Sequence, residues 1–461
     1  MGMSAECRPG TPPALDLDGG DFTRRFQDLQ SKLGDGRARL PLTVSAPVAG
    51  VRPLDWLRRQ PAGERAYWAS RDGALELAAV GSALRVACGP DADAGAAYDR
   101  MAGLLAAADD PDLHFLGGQA FAPGAPGDAA WSDFPYLSFA IPAALLVRRG
   151  DATRLVLAVP VDMESREEDL RAELAARHAA LPWPRASTAA ALPETFVRRD
   201  DLPARADWEA GVADTLSAIS RGEAAKVVLA RRTHLDFARP LDPVACLDAL
   251  ARANPHSFAY LVEPRAGSAF LGVSPELLLR LDGRRLETEA VAGTASPDGA
   301  HDLLACDKNG REHRHVLDHL VDRLAEICVR VDEPQPLRLL NLRNVTHLAA
   351  GLRGELAPDR TLGGVVSALH PTPAVCGTSP ASALAEIRRR EPFDRGWYTG
   401  LVGAVGRDRT ELAVAIRSAL VAGRRLTAFA GAGIVAGSEP AQEWRELESK
   451  IRPVLDTFRG A

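Results

Sequence analysis

Residues 208–232 read WEAGVADTLSAISRGEAAKVVLARR. Trp208, Val212, Leu216 and Ile219 recur at helical intervals and lay one apolar stripe along a helix, and Gly222 supplies its stop. Directly after that glycine comes KVVLA, residues 226–230, an apolar run of strand length. Further strands are expected at residues 154–161, 268–273, 412–416 and 425–430. A second helix is expected from about Glu312, with Val316, Leu320, Leu324 and Ile327 on one face, and a third from Pro440, since proline suits a first helical turn. These elements alternate without a strict strand–helix–strand rhythm, and no internal repeat is visible. An α+β fold, with large sheets covered by helices, follows.

Bulk composition narrows the function classes. The 461 residues are 46% hydrophobic and 25% charged, the usage of a globular protein with a sizeable core. A net charge of -6, from 55 Lys and Arg against 61 Asp and Glu, gives no basic excess for nucleic acid or an anionic membrane. An anionic substrate would need a local cationic pocket. Cys7, Cys88, Cys246, Cys306, Cys328 and Cys376 are scattered without a CxxC pair, which fits reduced cytoplasmic thiols better than disulfides or zinc. The start, MGMSAECRPGTPPALDLDGGD, has acidic residues, prolines and glycines where a signal peptide needs basic and apolar ones. No apolar run reaches membrane-spanning length, the segment 139–147 being short and broken by Pro142. Without secretion, the sequon at Asn344, Val345 and Thr346 carries no meaning. Residues 1–20 are expected to form a poorly ordered leader, 21–195 an N-terminal half of the fold and 196–461 a catalytic region, with an exposed connection at 122–130.

Several segments hold candidate chemistry, each with a plain structural explanation. The run AFAGAGIVAGS, residues 428–438, looks faintly like a dinucleotide fingerprint but leaves no room for the rest of a nucleotide-binding series. Its glycines permit close backbone approach, with N–H groups able to hold a carboxylate. In EHRHVLDH, residues 312–319, the spacing of His315 and His319 would suit zinc, although the histidines are more simply polar residues on a helix's solvent side. SEPAQEWRELESK, residues 438–450, sets Glu443, Glu446 and Lys450 on one helical face, where Glu446 and Lys450 could simply pair. Lys226 would share a strand face with Val228 and Ala230, a costly place for a buried amine unless it snorkels to water. Glu276 follows a Ser-Pro turn at a strand end.

Together these strings resemble the chorismate-utilising enzymes, a family that includes isochorismate synthase, salicylate synthase, anthranilate synthase component I and aminodeoxychorismate synthase. KVVLARR, FLGVSPELLLR, TEAVAGTA, KNGREH, HPTPAVCGTSP, RGWYTGLVGAVG, AIRSAL and AGAGIVAGSEPAQEWRELESK occur in the family's order across residues 200–452. A looser likeness reaches GGQAF, residues 131–135 and LLVRR. The resemblance implies an anthranilate synthase component I-like fold, with antiparallel sheets packed as a sandwich. Anthranilate synthases have Gln where this chain has Lys226, and an amine can activate water where a carboxamide cannot. Aminodeoxychorismate synthases that form a covalent adduct carry Lys where this chain has Ala292. No glutaminase partner is expected. The implied reaction is the Mg²⁺-dependent isomerisation of chorismate to isochorismate, with menaquinone biosynthesis as the expected pathway and a siderophore pathway as the alternative.

By the same resemblance Lys226 activates water at ring carbon 2, and Glu276 protonates the hydroxyl leaving carbon 4. Both pKa values should then be shifted by burial. Glu312 and Glu446, with Glu443 close by, would hold Mg²⁺, a hard cation that prefers oxygen ligands. Arg417 and Tyr398 would contact the enolpyruvyl carboxylate, Lys450 and the N–H groups of Gly431 and Gly433 would help bind carboxylate, and Thr294 and His370 would line the site. Many relatives place an Arg shortly after the AGT motif, whereas this chain has Ala295, Ser296 and Pro297. The rival readings are salicylate synthase, which shares the acid, base and metal carboxylates, and a non-catalytic scaffold on the same fold. A cytoplasmic monomer or weak dimer is expected.

Overall fold

The computed structural model describes residues 12–33, 39–108, 110–123, 128–184, 195–295, 303–304, 307–341 and 345–458. The helix read from Trp208 spans Arg205–Ser220, and Gly222 behind it has a φ of +78°, a conformation glycine adopts without penalty. The strand that follows is Lys226–Asp236, longer than its apolar start because His234 and Asp236 still pair while facing outward. The helices expected from about Glu312 and from Pro440 are Asp307–Ile327 and Pro440–Thr457.

Two antiparallel sheets make the frame. The first runs Leu40–Val48, Ala152–Val161, Ala144–Arg149, Leu75–Val80, Arg65–Ala69, Phe258–Arg265, Ser268–Ser274, Ser418–Ala422, Arg425–Val435, Lys226–Asp236 and Gly377–Thr378, and Arg198–Leu202 also pairs with Lys226–Asp236. The second runs Cys328–Val331, Thr346–Leu356, Arg285–Ala295, Leu277–Asp282, Arg409–Val414, Leu401–Gly406, His114–Gln119, Leu137–Ile141 and Leu84–Cys88, with Arg338–Asn341 also on Thr346–Leu356. Strands from before and after residue 196 share both sheets, so the expected halves are built into one sandwich.

Alternation along the strands sorts side chains into two cores. Leu75, Leu77, Leu145, Val147, Val156 and Phe270 turn toward the second sheet. Their neighbours Ala78, Leu146, Leu155, Leu157 and Leu271 turn the other way, against helices such as Gly20–Lys32, Pro53–Arg59 and Pro243–Ala253. Burial on both faces explains why these strands read as apolar runs rather than alternating ones. Of the leader, Pro13 is buried and Leu15 and Leu17 pack on the helix-side core, while residues 1–11 lie outside the described residues. Asn344, Ser296 and Pro297 also lie outside them, as does part of the 122–130 connection. Cys88, Cys246, Cys328 and Cys376 are free thiols. Among the described residues no helix is long and apolar enough to cross a membrane.

One expectation about the helices changes. His313 is only 3% exposed and its Nε2 lies 3.3 Å from the Ala290 carbonyl, so it faces the second sheet and not solvent. His315 and His319 are half-buried. Leu157 has no exposure and sits between the first sheet and its helices. Leu157→Ala should cost about 2–5 kcal/mol, through lost transfer energy plus a residual cavity, seen as a lower urea midpoint at unchanged slope.

Candidate functional site

The chain passes between the sheets twice at one place. Ser268–Ser274 ends in the first sheet and Leu277–Asp282 begins in the second, with Pro275 and Glu276 as the bridge. Arg409–Val414 ends in the second and Ser418–Ala422 begins in the first, with Ile416 and Arg417 in that bridge. The bridges are bonded together: Val414 N–H donates to the Glu276 carbonyl at 3.1 Å, and Val273 N–H to the Arg417 carbonyl at 3.1 Å. An acid and a cation therefore share one wall, fixed by two sheets at once. Arg417 has a φ of +50°, an uncommon backbone state for a residue with a side chain.

Beside this wall is a cavity of about 720 Å³, counting the space at its mouth, onto which Glu276, Thr294, Glu312, Tyr398, Arg417, Gly431, Gly433 and Lys450 open. Its floor is the pairing of Lys226–Asp236 with Arg425–Val435, where Lys226 faces Val435, Val228 faces Gly433 and Ala230 faces Gly431. Opposed residues in such a ladder point to the same side. Lys226 therefore rises on the glycine side, with no exposure, and its Nζ lies 3.0 Å from Glu312 Oε1. The missing side chains make this possible. A Cβ on Gly433 would stand 2.3 Å from Glu312 Oε1 and 3.0 Å from Lys226 Cε, and one on Gly431 2.9 Å from Tyr398 Oη.

The ladder also frees two donors. Val435 N–H turns away from the Lys226 strand to reach Ser438 Oγ at 3.2 Å, and the Gly431 carbonyl turns away to accept from Lys450 Nζ at 2.8 Å. By the alternation of an antiparallel pair, the N–H groups of Gly431 and Gly433 face that same outer edge.

Burial sets the charges. The Glu276 carboxyl, 4% exposed, is pushed up to about 8 by burial, against the opposing pull of Lys226. Arg417 is lowered to about 10 by burial alone, with no carboxylate in ion-pair contact among the described residues. Its Nη2 lies 3.0 Å from His347 Nε2, and His347 Nδ1 is 3.2 Å from the Gly293 carbonyl and 3.1 Å from Thr294 Oγ1. Burial first, and Arg417 second, hold His347 well below the ordinary imidazole range. It is thus neutral, accepting from Arg417 at Nε2 and carrying its proton at Nδ1. Tyr398 is 2% exposed, kept neutral by burial, and stacked on Phe429 with ring centres 4.9 Å apart.

Most of the expected residues converge here, with differences. Glu446 is held by Lys450, Oε1 to Nζ at 2.7 Å, and Glu443, 1% exposed, is buried on the same helix. Neither opens onto the cavity, and among the described residues no group of three or more His, Cys, Asp or Glu is gathered as a metal centre. His370 does not line the cavity: it ends the Leu362–Leu369 helix with its Nε2 3.1 Å from the Phe121 carbonyl, its imidazole lowered to about 4 by burial. His347 takes the place expected of it. No spacing in the sequence marks His347, which meets Thr294 only through the register of two strands.

The family description "Chorismate binding enzyme" matches residues 29–459. Isochorismate synthase MenF of Pasteurella multocida is 31% identical over 418 residues, 88% of this chain and 90% of that protein. MenF of Escherichia coli is 37% identical over 265 residues, 56% of this chain and 61% of the relative, and the match to the chloroplastic isochorismate synthase of Catharanthus roseus spans 48% of that protein. The chain thus spans about half to three fifths of those two relatives. The solved structure of the menaquinone-specific isochorismate synthase MenF from Escherichia coli superposes with a TM-score of 0.78 at 29% identity, covering 94% of this chain and 99% of that one. Anthranilate synthase component I from Streptococcus pneumoniae shares the fold, with a TM-score of 0.71 at 20% identity over 83% of this chain and 92% of that one. A family match over nearly the whole length, joined to a relative matched over about nine tenths of both chains, makes this chain a member of the chorismate-binding enzymes.

Proposed function

We propose that this protein isomerises chorismate to isochorismate, with Lys226 as base and Glu276 as acid. The observation that carries the reading is a wholly buried lysine set beside Gly433 of the cavity floor and, opening onto the cavity itself, a carboxyl whose burial keeps it protonated near neutral pH. The relatives above are named isochorismate synthases. Kinship with those named MenF favours menaquinone biosynthesis, and free thiols at Cys88, Cys246, Cys328 and Cys376 fit a cytoplasmic setting.

The Lys226 ammonium, paired with Glu312 in the free protein, first releases its proton to solvent. Water then adds its oxygen to ring carbon 2 and gives a proton to the Lys226 amine, the ring double bonds shift, and the carbon 4 hydroxyl leaves as water with the proton of Glu276. One water enters and one departs, so the change is an isomerisation. Arg417 and Tyr398 bind the enolpyruvyl carboxylate, Arg417 being a cation not yet neutralised by the protein. His347 and Thr294 orient that guanidinium, and the outward N–H groups of Gly431 and Gly433, with Lys450, add donors for carboxylate.

The donors of Glu312 and Glu446 fit Mg²⁺, being hard carboxylate oxygens, each beside a lysine that shows the spot tolerates a positive charge. Mg²⁺ is commonly held by one or two protein carboxylates, the remaining positions going to water and substrate, so a larger protein cluster is not required. When bound it would neutralise and orient the substrate's ring carboxylate, with Glu443 supporting Glu446 from the same helix.

Incubating the purified protein with chorismate and Mg²⁺ should yield isochorismate alone. Salicylate with pyruvate would replace this reading with salicylate synthase, and no turnover would favour a scaffold. Lys226→Ala should lower kcat by about 10²–10⁴-fold; unchanged turnover would remove Lys226 as the base. Because the Glu276 carboxyl titrates at about 8, its proton is present at neutral pH and lost above. The kcat/KM profile should therefore fall as pH rises through about 8, and Glu276→Gln should abolish that limb along with most activity.

A further inference from the structure

The strand that carries Lys226 has a gap on its outer edge. There Lys226 and Val227 pair with Thr378 and Gly377, and Arg232–Asp236 pair with Leu202–Arg198. Between these two short pairings, among the described residues, no strand pairs with 228–231 on that edge, where Val228 N–H donates to the Cys376 carbonyl at 3.0 Å. This is the stretch that floors the cavity.

Two buried side chains occupy the gap. Glu391 ends the Pro380–Arg390 helix, and Arg395 follows four residues later in the loop beyond it. Their side chains are 4% and 3% exposed and form an ion pair, with Arg395 Nε donating to Glu391 Oε2 at 2.8 Å. Glu391 Oε1 accepts from the Ala230 N–H at 2.7 Å, and Arg395 Nη2 donates to the Val228 carbonyl at 2.7 Å. A carboxylate thus stands where a strand would offer a carbonyl, and a guanidinium where it would offer an N–H. The same guanidinium reaches two further cavity-lining segments, through the Val375 carbonyl at 2.9 Å and Thr399 Oγ1 at 3.3 Å. Thr399, with a φ of +60°, follows Tyr398 directly. Phe121 closes the far face of the guanidinium, whose centre is 4.5 Å from the ring.

We propose that Glu391 and Arg395 are positioning residues that stand in for the missing strand and fix the Lys226 strand, the Val375 loop and the Tyr398–Thr399 turn in one catalytic geometry. This rests on the isochorismate synthase reading for its effect on turnover, but not for its effect on the strand. A buried ion pair is a poor source of net stability, since two charges must be stripped of water. Its worth here is geometric, because a planar fork bonds three segments at fixed angles.

Arg395→Lys is the test. Lysine keeps the charge beside Glu391 but has no planar fork. Amide exchange in peptides covering residues 226–232 should rise, while peptides covering 144–161 stay unchanged. The thermal midpoint should stay within about 4 °C of wild type. At a temperature where both proteins are folded, kcat should fall by at least about tenfold, with KM within about threefold. Unchanged exchange at 226–232, or raised exchange with wild-type kcat, would overturn the proposal. Should Arg395→Lys not fold, Glu391→Gln keeps an acceptor for the Ala230 N–H and should show the same split, and its failure to fold as well would leave the pair a plain folding role and overturn the proposal. A wild type that does not convert chorismate would sink the assigned reaction and leave the exchange result standing.

Discussion

A lysine with no exposure needs a carboxylate beside it, because removing an ammonium from water costs several kcal/mol that only a close counter-charge can offset. Glu312 supplies it at 3.0 Å, and the two come from opposite halves of the sandwich. Lys226 opens a strand of the first sheet, whereas Glu312 rides on the Asp307–Ile327 helix packed against the second. The contact can form only if the strand between them is bare of side chain, and position 433 is glycine. One ion pair therefore dictates the glycine run and fixes how the helix sits on the cavity floor. The same bareness leaves the cavity its depth.

The crossovers do for the opposite wall what this ion pair does for the floor. A bridge between two sheets cannot shift without breaking both ladders, so Glu276 and Arg417 inherit the rigidity of the whole sandwich. That matters for an acid whose function depends on staying dry. Burial is the largest influence on the Glu276 carboxyl, and Lys226 opposes it. A looser bridge that admitted water would weaken the effect of burial and leave the lysine's pull to return the group toward its ordinary value.

What could be read in the sequence was what repeats or stands in line. The stripe of Trp208 and Val212, the run at Lys226 and the glycines at 431 and 433 all lie on single elements, and local periodicity carries them. Lys226 shared its strand face with Val228 as alternation requires, although burial with a partner, rather than snorkelling, was the outcome. What could not be read depends on register or on distant pairing. His347 meets Thr294 across two strands whose alignment slips at a bulge beside Gly293, and Glu391 meets Ala230 across 161 residues. His313 faces inward because the helix is buried over a wider arc than its leucines alone suggest, and His370 sits off the cavity lining because proximity in a motif is not proximity in space.

An acidic chain proposed to take up a dianion must keep a cation in reserve, and the local electrostatics show where. Lys226, Arg65, Arg231 and Arg395 are all buried, and each has a carboxylate in contact. Arg417 differs: burial alone lowers it, and its bonding partner is a neutral imidazole whose own proton is committed to the Gly293 carbonyl and Thr294. Holding a half-buried guanidinium at the cavity without a counter-ion costs stability in the free protein, and the sheets that frame it bear that cost. The return comes on binding, because a carboxylate arriving at Arg417 meets a partner already desolvated and oriented, and forms a charge-assisted bond without first displacing another anion. Lys450 cannot play this part, since Glu446 and the Gly431 carbonyl already hold its ammonium. Arg417 also holds a φ of +50°, an uncommon backbone state for a residue with a side chain, at the crossover from which it opens onto the cavity.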